Sequence, residues 1–251
     1  DGGSLEISDN KGFEYTLKYS KMKPHISYGT DEDGVNGYMV PTPKKANGNA
    51  YKSLDSQCAK PTFGEVKPGV YPNSEKSSET PKKIKISSAT TGTTIRYTLN
   101  GSIPTETDSV LSAESSIKLS ETRIIRARAF KSGTLPSDIL TGSFIIYSSK
   151  RDDCSGKDAA VVSVVADDKF LTDPQYGMFT SSNESKSGIP GVKSCISNAA
   201  NYNRDWQRGI NFEFFENGEQ KIGQEAVAGI MGGCSRKDDY KVKSLKISTN
   251  K

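Results

Sequence analysis

The sequence predicts a mainly β protein, with small β-sandwich modules in series followed by a C-terminal α+β region. Three observations carry this. Apolar and polar residues alternate over short runs such as Phe13-Glu14-Tyr15-Thr16-Leu17-Lys18-Tyr19 and Ile210-Asn211-Phe212-Glu213-Phe214, the period of a half-buried strand. Turn chemistry, not helix capping, separates most of these runs, in a chain with 23 Gly and 11 Pro. The apolar fraction is 33%, which suits small modules with much surface better than one large core. A length of 251 residues allows two domains, or three small ones.

The net charge is +4, from 34 basic and 30 acidic residues well mixed along the chain. A nucleic-acid binder would show a dense basic stripe, so no nucleic-acid partner is expected. Lys82-Lys83-Ile84-Lys85 reads as the polar face of a strand. No apolar run reaches the ~18–20 residues of a membrane helix, so no transmembrane segment is expected; the longest, around 159–166, suits a buried strand. The chain opens at Asp1 rather than Met, as it would after loss of a secretion signal or after any other trimming. Cys58, Cys154, Cys195 and Cys234 form no CxxC pair, so zinc has no support from spacing. Disulfides are permitted, but isolated and partly buried thiols are the reading taken here.

In order along the chain, Leu5-Glu6-Ile7 and Phe13 to Tyr19 form a hairpin around Asp9-Asn10-Lys11-Gly12, with Phe13, Tyr15, Leu17 and Tyr19 on one face. Asp31-Glu32-Asp33-Gly34 is a second turn; its spacing is wrong for an EF-hand calcium loop. Pro41-Thr42-Pro43 ends the strand pattern. Residues 49–62 lack periodicity and read as a linker. Next come Lys83-Ile84-Lys85-Ile86 and a strand with Ile95, Tyr97 and Leu99 on one face. Ile125, Ala127 and Ala129 make a small-residue inner face, with Arg126 and Arg128 opposite. Residues 149–160 are a polar joint, and Val161 to Val165 a buried strand. Asp167-Asp168 caps a helical turn, and 181–200 is a long Ser/Asn/Gly loop. Asn217-Gly218 marks a tight hairpin, and strand character resumes at Val227 to Met231.

Three resemblances follow. Tyr97-Thr98-Leu99-Asn100-Gly101-Ser102-Ile103-Pro104-Thr105 and Arg123-Ile124-Ile125-Arg126-Ala127-Arg128-Ala129-Phe130 resemble the Fn3-like C-terminal domain of chitobiase and β-hexosaminidase enzymes. That module accompanies catalytic domains and does no chemistry itself. Gly3-Ser4-Leu5-Glu6-Ile7-Ser8-Asp9, Ile26-Ser27-Tyr28-Gly29 and Pro41-Thr42-Pro43 resemble the second half of a bacterial lamin-tail domain, an immunoglobulin-like sandwich. Tyr176-Gly177-Met178-Phe179, Asn211-Phe212-Glu213-Phe214-Phe215 and Gly232-Gly233-Cys234-Ser235-Arg236, followed by Lys243-Ser244-Leu245-Lys246-Ile247, resemble the N-terminal part of the CotH family. That family is named for a spore coat protein and includes atypical secreted protein kinases. The implied order is a partial lamin-tail-like sandwich at 1–55, a chitobiase-like (Fn3-like) sandwich at 56–150 and the start of a CotH-like domain at 151–251.

These resemblances imply a secreted or surface-located, multidomain bacterial protein. This chain would be a non-catalytic structural or binding fragment of it, with a glycan or a cell-surface protein as partner. The CotH resemblance implies an alternative, the N-terminal part of an ATP- and Mg²⁺-dependent kinase whose catalytic residues lie beyond 251. Lys243 would then neutralise nucleotide phosphates, with Gly232-Gly233 offering backbone N–H groups and Arg236 a forked donor. The chain departs from the family by inserting Lys237-Asp238-Asp239-Tyr240-Lys241-Val242, which leaves Lys241 as a second candidate. Read from the residues alone, the same stretch is a β-turn, a solvated lysine and a surface arginine. A weaker alternative is an accessory piece of a glycan-degrading system. No residue is assigned a catalytic role and none a metal. Arg126 and Arg128 form a possible interaction surface for an anionic partner, with a solvated strand face as the plain reading. Asp152-Asp153 and Asp167-Asp168 read as turn and cap residues, His25 as solvated or packed, and Trp206 as core.

Overall fold

The computed structural model describes residues 2–72, 83–112, 115–147, 160–181, 200–237 and 239–249. Cys154, Cys195, the Asp152-Asp153 pair and nearly all of the predicted 149–160 joint and 181–200 loop lie outside them. The chain is mainly β, as predicted.

At the N-terminus, β1 (Gly3–Ser8) and β2 (Glu14–Tyr19) form an antiparallel hairpin. Its turn is built by Asp9, whose Oδ1 accepts from the N–H of Lys11 at 2.8 Å and of Phe13 at 2.9 Å. Strands β3 (Ser27–Thr30) and β4 (Asn36–Met39) repeat the device, with Asp31 accepting from Asp33 and Val35. The predicted linker is not free. Tyr51 exchanges two backbone hydrogen bonds of 2.8 Å with Tyr38, and Gln57 donates to Pro136 O and Asp138 Oδ1, both at 3.0 Å. These partners are distant in sequence, so local periodicity carried no trace of them.

The middle of the chain supplies β5 (Thr62–Phe63), β6 (Gly69–Pro72), β7 (Lys83–Ile84), β8 (Ile86–Ser87), β9 (Thr94–Thr98), β10 (Ser109–Leu111), β11 (Ile117–Lys118), β12 (Arg123–Phe130) and β13 (Leu140–Tyr147). The predicted inner face is the core. Ile84, Ile125, Ala127 and Phe144 are fully buried and pack with Ile86, Ile95 and Leu111. Alanines at 127 and 129 leave room for the facing layer, and Phe63 meets Phe144 edge-on with ring centroids 5.3 Å apart.

After 160 come β14 (Val161–Val165), the helical turn α1 (Asp168–Leu171), β15 (Arg208–Glu216), β16 (Glu219–Met231) and β17 (Ser244–Ser248). Asp167 caps α1, accepting from Lys169 N. Asn217 and Gly218, both at positive φ (53° and 80°), join β15 to β16 with two residues, as the Asn-Gly signal predicts. Among the described residues, strand β14 pairs with β15 alone, and Val162 is 56% exposed, so it is an edge strand rather than a fully buried one.

One nine-stranded sheet joins the middle and C-terminal regions. Its order is β10-β9-β12-β13-β6-β16-β15-β14, with β17 on β16. The junction is narrow. Strand β6 runs parallel to β13 over four residue pairs but meets β16 only at Gly69↔Glu219, beside a Val70 N to Gly218 O bond of 2.9 Å. Beyond this seam β15 makes contact with β13, where Ser143 hydrogen-bonds Glu213.

Candidate functional site

The structure gathers the predicted phosphate-binding residues around one loop but turns their donors inward. Gly232 takes φ +111°, which only glycine adopts without strain, and Gly233 opens a short 3-10 turn, Cys234–Arg236. Arg236 is 9% exposed and staples this turn to its neighbours. Its guanidinium donates to Ile230 O at 2.6 Å, to Asn203 O at 3.2 Å and to Asp205 Oδ1 at 3.3 Å. It is not the surface arginine of the plain reading. Lys243 is half-buried, with Nζ donating to Lys237 O at 2.6 Å and to Tyr240 O, 4.6 Å above the Tyr202 ring. Its ammonium ties Lys243 back to Lys237 and Tyr240 of the insertion, and Lys241 is exposed.

A groove of about 270 Å³ lies next to this turn, lined by Trp206, Arg236 and Lys246 among others. Trp206 is half-buried, not core; the guanidinium carbons of Arg208 and Arg204 lie over its ring, 4.3 Å and 4.9 Å from the centroid. Cys234 is disulfide-bonded, which corrects the reading of four isolated thiols; Cys58 is a free, buried thiol 3.1 Å from Thr134 Oγ1.

Arg126 and Arg128 share a face of β12, as alternation predicts, but that face is covered. Each is 5% exposed, so neither the solvated strand face nor an open interaction surface is formed. Arg126 donates to Gly101 O at 3.1 Å and Arg128 to Ser137 O at 2.8 Å. Burial lowers both pKa values from the usual arginine range. His25 is packed nearby at φ +60°, its pKa lowered to about 4 by burial and then by the charges of Arg126 and Arg128.

The feature that sequence reasoning missed is at the seam. Glu213 of β15 is fully buried. It accepts from Ser143 N at 3.1 Å, Ser143 Oγ at 2.5 Å and Gln220 Nε2 at 2.6 Å. Burial pushes its carboxyl pKa up against the opposing effect of these bonds. Ser163 Oγ of β14 lies 2.8 Å from Ser143 Oγ and extends the network. The alternating run 210–214 showed only that Asn211 and Glu213 share a face, which solvent would have suited equally well.

Beside the seam lies a cleft of about 1020 Å³. One wall is the 60–72 segment, the other is the Asn217-Gly218 turn and the start of β16; Leu140, Thr141 and Asn211 also line it. Asn211 is 7% exposed and its Nδ2 has no hydrogen-bond partner. Among the described residues, none lining the cleft is a histidine or cysteine, and no cluster of His, Cys, Asp and Glu has metal-site geometry.

Residues 84–144 match the family described as Fn3 associated. An Fn3-related domain therefore occupies this stretch, which runs from β7 to most of β13. No curated protein and no solved structure matches the chain. Among the described residues, no helix is long and apolar enough to cross a membrane.

Proposed function

We propose that this chain is a non-catalytic structural and binding segment of a multidomain bacterial protein that is secreted or surface-located. The observation that carries the reading is the Fn3-associated match at 84–144, a type of module that accompanies other domains. The structure adds that this module shares its sheet with the C-terminal hairpin, with an open cleft beside the seam. The lamin-tail-like and CotH-like resemblances of the flanking residues fit a modular parent of this kind.

The competing kinase reading asks Lys243 to meet nucleotide phosphates. Its ammonium would first have to exchange two carbonyl acceptors for the phosphate. Isothermal titration with ATP and Mg²⁺, run beside a phosphoryl-transfer assay, separates the two readings. No saturable heat and no transfer are expected. Saturable ATP binding that is lost in Lys243→Ala, with folding intact, would replace the proposal with the kinase reading.

A further inference from the structure

We infer that the seam cleft binds a neutral oligosaccharide. The inference rests on the reading of the chain as a binding segment and names the ligand class for it.

The size comes first. At about 1020 Å³ the cleft lies at the upper end of the ~300–1,000 Å³ usual for small-molecule sites, which leaves room for more than one sugar ring.

Charge is the second point. The lining carries Lys60 and Lys67 against Glu65 and Glu219, so it is balanced overall. Two of these four are already engaged, since Lys67 Nζ donates to Phe63 O at 3.1 Å and Glu219 accepts from Lys221 at 2.7 Å. A nucleotide, a phosphate or an acidic chain would find no net attraction here.

What remains is neutral. Asn211, Asn217 and Gln224 provide amides, Thr62 and Thr141 hydroxyls, and Tyr71 and Tyr147 ring faces. Amides that both donate and accept suit sugar hydroxyls, which do the same. Aromatic rings offer flat apolar surfaces to the C–H faces of a pyranose. The Asn211 amide donor, buried without a partner, is the strongest pointer to a ligand. Asn211 itself lines the cleft wall.

A peptide is the rival occupant. Peptides that add to a sheet need a row of free backbone donors and acceptors. In the cleft wall Pro61, Pro68 and Pro72 have no N–H to offer, and β6 is already paired with β13. The wall is therefore poor for strand addition.

The test is an NMR titration of the whole chain with cello-, malto-, xylo- and chito-oligosaccharides in turn, and with an unstructured peptide. At least one sugar is expected to give saturable shifts at cleft residues. Tyr147→Ala and Gln224→Ala, on the cleft walls, should each weaken it about tenfold, the cost of one good contact. Asn211→Leu should weaken it similarly without lowering the melting temperature, because it removes an unsatisfied buried donor. Lys246→Ala, in the Trp206 groove, should bind as the parent does. No sugar-induced shifts, shifts confined to the Trp206 groove, or cleft shifts with the peptide alone would each overturn the inference. Reducing-end release in the same samples distinguishes the two readings. Release with cleft binding supports the cleft and contradicts the non-catalytic proposal. Absence of both binding and release overturns the cleft while leaving that proposal standing.

Discussion

His25 shows how much a single side chain depends on what covers it. Its imidazole is half-buried, and its pKa falls from 6.5 to about 4 through desolvation and the charges of Arg126, Arg128 and Lys169, opposed by Asp138. Between those values the unfolded chain holds a proton that folded His25 does not. Stability from this group is therefore complete above pH 6.5 and is lost as pH falls toward 4, by up to about 3 kcal/mol. Asparagine tolerates the left-handed backbone at this position and does not titrate. Denaturant titrations of His25→Asn from pH 7 to 4 should show a flatter acid slope than the parent chain. An identical slope would mean that His25 is not held neutral by its surroundings.

The same scale marks where reading the sequence stopped. Alternation placed Arg126 and Arg128 on one face of a strand, and Asn211 and Glu213 on another, both correctly. It read the arginine face as solvated or open to an anionic partner and left the other unassigned, because a period of two says which residues share a side and nothing about what lies over it. In both cases a second layer from a distant part of the chain covers them. Lys243 and Arg236 illustrate a related limit. Their residue types suited an anion, yet Lys243 is held by carbonyls of its own loop and Arg236 by Ile230 O, Asn203 O and the Asp205 carboxylate.

At the scale of elements, hairpins were the most legible. Asp9, Asp31 and Asn217-Gly218 each build the turn their chemistry predicts, since a turn is decided within a few residues. The supposed linker at 49–62 was not legible, because Tyr51 and Gln57 find partners far away in sequence. Close approach between elements was also hidden. A Cβ added at Gly142 of β13 would lie 2.5 Å from the Phe63 ring and 2.6 Å from Pro68. Gly142→Ala should therefore destabilise the chain by about 1–3 kcal/mol through overpacking. Thermal unfolding measures this, and an unchanged midpoint would show that β5 and its following loop do not sit on β13.

At the scale of the molecule, the sequence suggested modules in series, whereas the structure carries one sheet across two of them. Strand β13, most of it inside the Fn3-associated stretch, supplies one side of the seam together with β6, and the β15–β16 hairpin supplies the other. With few backbone bonds joining β6 to β16, the buried Glu213–Ser143 contact does much of the joining. The cleft exists only if that seam is closed as described. The most direct test is a double-mutant cycle on stability with Ser143→Ala, Glu213→Gln and the pair. A coupling of about 1–3 kcal/mol is expected for a buried, hydrogen-bonded pair. A coupling within about 0.3 kcal/mol of zero would mean that the two sides of the seam act independently, contradicting both the shared sheet and the cleft built on it.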